Sequence, residues 1–201
     1  MTDTDSPDTG GEAPPPQSNW SVPPPAAAAP ATAGYVYADV LYRVIALFID
    51  AIIIGIVNLV VLGTILNTIG LGIVTAGGVN VVALFIYAIV GSAISLAYFV
   101  FTWTRMRASI GLKLLGMQVG NAGDGATLTQ DQSIRRWLAL WGPGTVGQLL
   151  SSLPGIGGLL SLLGLAWMIY LLYTTYQSPT KQGFHDKFAN TVVVKSARSV
   201  S

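Results

Sequence analysis

The sequence predicts an all-α integral membrane protein: a four-helix transmembrane bundle with a cytoplasmic loop that forms a short β-ribbon. Three observations predict it. Hydrophobic residues make up 52% of the chain and charged residues only 9%, whereas a soluble domain carries about 25% charged residues. The apolar residues come in runs long enough to cross a bilayer. All ten basic residues fall on one side of the membrane if the chain crosses it four times. There is no cysteine and only one histidine, His185, which excludes disulfides, thiolate chemistry and a zinc site built from several histidines.

Residues 1–34 read as a disordered cytoplasmic tail. They hold eight of the eleven prolines and the acids Asp3, Asp5, Asp8 and Glu12. Proline lacks the amide donor, and this composition buries little apolar surface, so local polyproline II is expected. Two readings stand: a docking segment for a partner's aromatic groove, or a solubilising tail.

Residues 35–195 read as the transmembrane domain, with 196–201 as a C-terminal tail. The first span is placed at 41–66. It begins too late and runs too long for a cleaved signal, so a retained helix is expected. Asp39 and Arg43 are spaced i,i+4 and can pair on the entering turn. Tyr35, Tyr37 and Tyr42 fit an interfacial aromatic belt. Asp50 lies inside this span, about two turns after Arg43 and on the same face. A carboxylate inside lipid costs about 2.5–3.5 kcal/mol, so Asp50 is expected to face protein or water. Asn58 and Thr64 follow near the same face as oxygen donors.

The uncharged, glycine-rich stretch 67–78 breaks the run and gives the first turn on the far side. A second span follows at 79–103. Its Gly91–Ser95 step lets a neighbouring helix approach closely, and Tyr98 and Trp103 sit where the second interface is expected. Residues 104–136 are polar and carry five basic residues: Arg105, Arg107, Lys113, Arg135 and Arg136. Leu112–Val119 reads as a short strand, Gly123-Asp124-Gly125 as a turn, and Thr129 as the cap of a helix starting near Gln130. Residues 137–180 are 44 positions without a charge, enough for two spans and a turn. These are placed at 137–153 and 157–176, around Pro154, Gly155, Gly157 and Gly158. The glycine- and proline-rich third segment also reads as re-entrant. Thr191–Val194 has strand propensity and can pair with Leu112–Val119. The positive-inside rule then puts both termini in the cytoplasm of a multi-pass plasma-membrane protein.

The ordered set of motifs resembles the RDD family of small membrane proteins. Arg43 and Asp50 match its first-helix arginine and aspartate. Ser109-Ile110-Gly111-Leu112-Lys113-Leu114-Leu115-Gly116 matches a T-x-G-K-x-x-x-G segment, with serine for threonine and the lysine displaced by one. Asp124-Gly125 matches a turn, and Arg135 or Arg136 an arginine before the next helix. His185-Asp186-Lys187-Phe188-Ala189-Asn190-Thr191-Val192-Val193 matches an H-D-x-x-x-x-T-x-V signature. The resemblance covers about residues 37–195. The proline-rich front resembles tails of actinobacterial members.

The resemblance implies transport, with cation/proton exchange among the proposed activities, and a clasp in which Asp186 satisfies an arginine. From the residues themselves, Asp50 is either an ion-coordinating carboxylate or a packing residue paired with Arg43. His185 and Asp186 read as a gate pairing with Arg43 or Arg135, or as a surface ion pair. The candidate site is therefore Arg43, Asp50 and Asp186, supported by Asn58, Thr64, Lys113, Arg135, Arg136 and His185. No nucleophile motif, phosphate loop or dinucleotide fingerprint is present, so neither an enzyme nor a cofactor is expected. The expected partners are the lipid bilayer and a homo-oligomer or larger membrane complex, not nucleic acid. The two functional readings are a small ion or solute transporter using Asp50, and a non-transporting accessory or scaffold subunit whose tail binds partners.

Overall fold

A computed structural model describes residues 35–150 and 157–196. The proline-rich tail, the turn at Pro154 and Gly155, and residues 197–201 lie outside them.

Strand β1 (Tyr35–Tyr37) leads into helix α1 (Val40–Val57). Asp39 starts α1 by accepting the Val40 amide at 2.8 Å. It caps rather than pairing with Arg43, which turns elsewhere. At Asn58–Leu62 the helix widens into a π segment, with the Gly63 amide reaching back five residues to Asn58 O. It then continues as α2 (Gly63–Thr68). The far-side turn is a small hairpin, β2 (Val74–Thr75) against β3 (Gly78–Val79).

Helix α3 (Val81–Met106) starts on Asn80, whose side chain accepts the Ala83 amide. The stretch expected as one strand divides in two. Helix α4 spans Ile110–Leu114, and only then does strand β4 (Met117–Asn121) begin. Gly116 between them has φ +69°, a left-handed turn that a β run cannot absorb. Helix α5 (Gln130–Leu150) is capped by Thr129, whose Oγ1 accepts the Gln132 amide at 3.1 Å. It starts seven residues before the expected span, and residues 151–153 lie outside those described. Helix α6 (Gly157–Gln177) matches its expected position. Helix α7 (Phe184–Phe188) and strand β5 (Thr191–Ser196) close the fold.

Among the described residues, three helical stretches are long and apolar enough to cross a membrane: Val40–Thr68, Val81–Met106 and Gly158–Gln177. Helix α5 is not among them, because its first turns carry Asp131, Arg135 and Arg136 and its middle carries Gly142, Pro143 and Gly144. It packs between α3 and α6. The apolar stretches bury little of themselves; Leu41, Phe48, Leu59 and Ile65 on the first are all more than half exposed, as lipid-facing side chains are.

The expected ribbon is a three-stranded antiparallel sheet in the order β1-β5-β4. Val193 pairs with Val119, and Tyr37 with Val194. The third strand comes from the segment before α1, where only interfacial tyrosines were expected. The sheet, α4 and α7 lie at one end of the helices, with Val192, Val193 and Val194 fully buried.

Candidate functional site

Three charged groups from distant parts of the chain meet where the sheet joins the helices. Asp186 is fully buried on α7. Its Oδ2 faces Arg43 Nη1 at 2.7 Å and its Oδ1 faces Arg136 Nη2 at 2.8 Å. It also accepts the Gly183 amide at 3.2 Å and so caps its own short helix. Arg43 spreads its remaining nitrogens over two carbonyls, Ala38 O and Val193 O, each at 3.1 Å. Arg136 Nη1 donates to Thr191 Oγ1 at 3.0 Å, and its guanidinium lies 5.0 Å from the Trp103 ring centroid. One carboxylate thus ties α1 and α5 to α7, and its arginines tie both helices to β5.

The electrostatics follow from burial and this pairing. Burial alone would raise the Asp186 pKa; Arg136, His185 and Arg43 outweigh it and hold the carboxyl well below the usual carboxylate range. His185 stands beside it, Nε2 3.6 Å from Asp186 Oδ2. Burial pushes His185 down to about 4, and the Asp186 charge does not offset burial together with Arg136 and Arg43. The imidazole is therefore neutral at pH 7, and the distance is beyond hydrogen-bond range.

Asp50, 2% exposed, is not bonded to this cluster and has no cationic partner among the described residues. Its Oδ1 accepts Tyr98 OH at 2.7 Å and the Gly111 amide at 2.8 Å. Its Oδ2 accepts Ser109 Oγ. The expected pairing with Arg43 is not formed, because Arg43 reaches toward the sheet end and takes Asp186. The donors come from α3 and from the start of α4, which lies against α1. A Cβ added at Gly111 would stand 2.1 Å from Ala46 O, so only glycine lets α4 come close enough for its amide to reach Asp50.

Other expected residues lie elsewhere. Lys113 is exposed on α4. Arg135 pairs with Asp131 on the surface at 2.9 Å, leaving Arg136 as the arginine of the cluster. Thr64 is exposed. Asn58 lies on the π segment against Gly91, too far along the helix to join Asp50. Tyr98 and Trp103, expected at a membrane interface, instead serve the interior; Trp103 is 2% exposed. Ser95 is also a contact point, accepting Trp137 Nε1 at 3.1 Å.

Cavities run in file along the first helix. The inner one, about 70 Å³, is lined by Arg43, Asp50, Trp103, Arg136 and His185 among apolar side chains. The middle one, about 220 Å³, takes up α1 at Ala51 and ends at Asn58, with Tyr87, Ser92, Ser95 and Gln148 on its other walls. The outer one, about 470 Å³, runs from Leu59 to Asn67 and shares Tyr87 with the middle. At 1.5 Å per residue, Val40 to Asn67 covers about 40 Å, the thickness of a bilayer with its headgroup layers.

The RDD family model matches residues 37–190. The chain belongs to the RDD family. Comparison with curated proteins and with solved structures gave no match. The matched range takes in every residue of the RDD chain's ion cluster and the Asp50 site, from Arg43 to Asp186.

Proposed function

We propose that this RDD protein is a small-ion transporter in which Asp50 takes up and releases a coupled proton. The observation that carries the reading is the file of cavities along α1, with Asp50 in the wall of the innermost one. Tyr98, Ser109 and Gly111 give Asp50 uncharged donors only, so its protonation breaks no ion pair. The π segment supports the same reading, since such widened turns recur at functional sites. It places Asn58 in the wall of the middle cavity. Helix α5 is the fourth span of this proposal: it walls the inner and middle cavities with Arg136, Trp137 and Trp141. Both termini and the basic sheet end then face the cytoplasm of a plasma-membrane protein. Cation/proton exchange is the activity that family membership suggests.

The test is proton flux in proteoliposomes under sodium, potassium and anion gradients, comparing wild type with Asp50→Asn. Flux in wild type that is lost in a folded variant supports the reading. Equal flux in both, or none in either, refutes it.

A second reading is an accessory subunit of a larger membrane complex. What favours it is the double-arginine clasp on Asp186, a locked arrangement that holds the fold and moves nothing. Co-purification of a stoichiometric partner in mild detergent would support it, and a solitary species with flux would exclude it.

A further inference from the structure

Charge and unpaired donors meet at the inner cavity. Arg43 and Arg136 bring two positive charges, one carboxylate, Asp186, bridges them, Asp50 stands in the wall, and His185 adds no charge at neutral pH. Three buried nitrogens on the lining residues have no hydrogen-bond partner among the described residues: Trp103 Nε1, Arg136 Nε and His185 Nδ1. Trp103 is 2% and Arg136 4% exposed. Indole and guanidinium N–H groups only donate, and a buried donor left unmade is costly. The space, about 70 Å³, is a little over twice the share of one water molecule in the liquid, about 30 Å³. Apart from Arg43, Asp50, Ser109 and Thr175, the remaining walls are apolar, among them Leu47, Phe99, Leu140 and Leu171.

We propose that the inner cavity binds a small monovalent inorganic anion, of the halide or nitrate type, on Arg136, Trp103 and His185. Arg136 Nε and Trp103 Nε1 can only donate, which suits an anion and not a cation, and the apolar walls favour a weakly hydrated anion over phosphate. The charged and titratable groups around it are Arg43 and Asp50 on α1, Tyr98 on α3, Arg136 on α5, and His185 and Asp186 on α7, with Asp39 beside Arg43. Among the groups away from solvent, with exposed Asp39 left out of the sum, Arg43 and Arg136 balance Asp186 and ionised Asp50; protonated Asp50 leaves that set at +1, so anion and proton enter together. That coupling rests on the transporter reading, whereas binding itself does not.

The probe is nitrate, with gluconate as a bulky control at equal ionic strength, on the purified full chain in mild detergent. In wild type the melting midpoint rises saturably with nitrate and not with gluconate. Trp103→Phe keeps the ring over Arg136 and removes one donor. It raises the half-saturating nitrate concentration about tenfold or more, read against its own midpoint in gluconate, which the smaller buried ring lowers. Asp50→Asn, which removes the like charge, lowers that concentration. Equal midpoints of the wild type in nitrate and gluconate, or wild-type saturation in Trp103→Phe, overturn the proposal. Should Trp103→Phe not fold, chloride NMR line width on wild type decides: broadening reversed by nitrate supports the site, and no broadening overturns it. Binding without flux would keep the anion site and remove the transporter reading; flux without binding would do the reverse.

Discussion

Replacing Asp186 by asparagine changes the charge of the ion cluster and little of its shape. Asparagine retains one carbonyl oxygen, but its amide group must face a guanidinium where a carboxylate oxygen stood. Two contacts, at 2.7 and 2.8 Å, become one hydrogen bond and one donor facing a donor. The buried cluster then holds two uncompensated positive charges. Removing one partner from a buried ion network costs about 3–5 kcal/mol, or roughly two to three and a half orders of magnitude in the folding constant. The loss is felt first at β5, because Arg43 holds Val193 O and Arg136 holds Thr191 Oγ1. The assay is denaturant unfolding in mild detergent, with amide hydrogen exchange over Thr191–Ser196. Lys187→Ala, an exposed neighbour on α7, serves as the control and stays within about 0.5 kcal/mol of wild type. Stability of Asp186→Asn within about 1 kcal/mol of wild type, with β5 protection intact, would refute the reasoning.

Further outcomes follow from the same geometry. His185 titrates near 4 in the folded chain, against about 6.5 unfolded. The unfolded chain therefore binds the extra proton first, and stability falls as pH drops from about 6.5 to 4, by on the order of 3 kcal/mol. Asp186, whose folded pKa is depressed, holds its contribution above the ordinary carboxylate range and loses it only below about 4. His185→Asn therefore flattens the profile between pH 4 and 6.5 in pH-dependent unfolding. Gly111→Ala, with its Cβ 2.1 Å from Ala46 O, pushes α4 off α1 and breaks the amide bond to Asp50. It destabilises by about 2–4 kcal/mol in the same assay, whereas Gly164→Ala, with nothing within 4 Å, is neutral or slightly stabilising.

Three apolar runs and the ion cluster's own residues were legible because each is an outlier against its surroundings: long uncharged stretches, and Arg43, Asp50 and Asp186 near or within them. Their partnerships were harder to read. Arg43 and Asp50 share a face by spacing, but a helical side chain points back toward the N-terminus, which takes Arg43 to a carboxylate 143 residues away. The choice between Arg135 and Arg136 did have a signal. Ser133, Arg136, Trp137 and Leu140 are all buried, a spacing of i, i+3, i+4, i+7 that marks the inward face of α5. Arg135 instead faces out with Asp131, four residues before it. The split of Leu112–Val119 into helix and strand hangs on the backbone of Gly116, which composition does not reveal. Strand β1 is three residues long and gains its place only by pairing with β5. The donors to Asp50 were missed because Tyr98 also fits an interfacial belt and Gly111 donates through its backbone.

The register that sets Tyr35 opposite Ser196 has a mechanical consequence. The strands are antiparallel, so the two ends of the described membrane unit leave the sheet side by side. Tension pulling those ends apart loads one residue pair at a time, as a zipper does, rather than all pairs in shear. Tyr35–Ser196, Val36–Lys195 and Tyr37–Val194 release in that order. The next point to bear load is the Val193 carbonyl, where the Ala38 amide and Arg43 Nη2 converge. A pull through either tail thus reaches the arginine that holds Asp186 only after three pairs have parted, which makes β1 a fuse between the tails and the ion cluster.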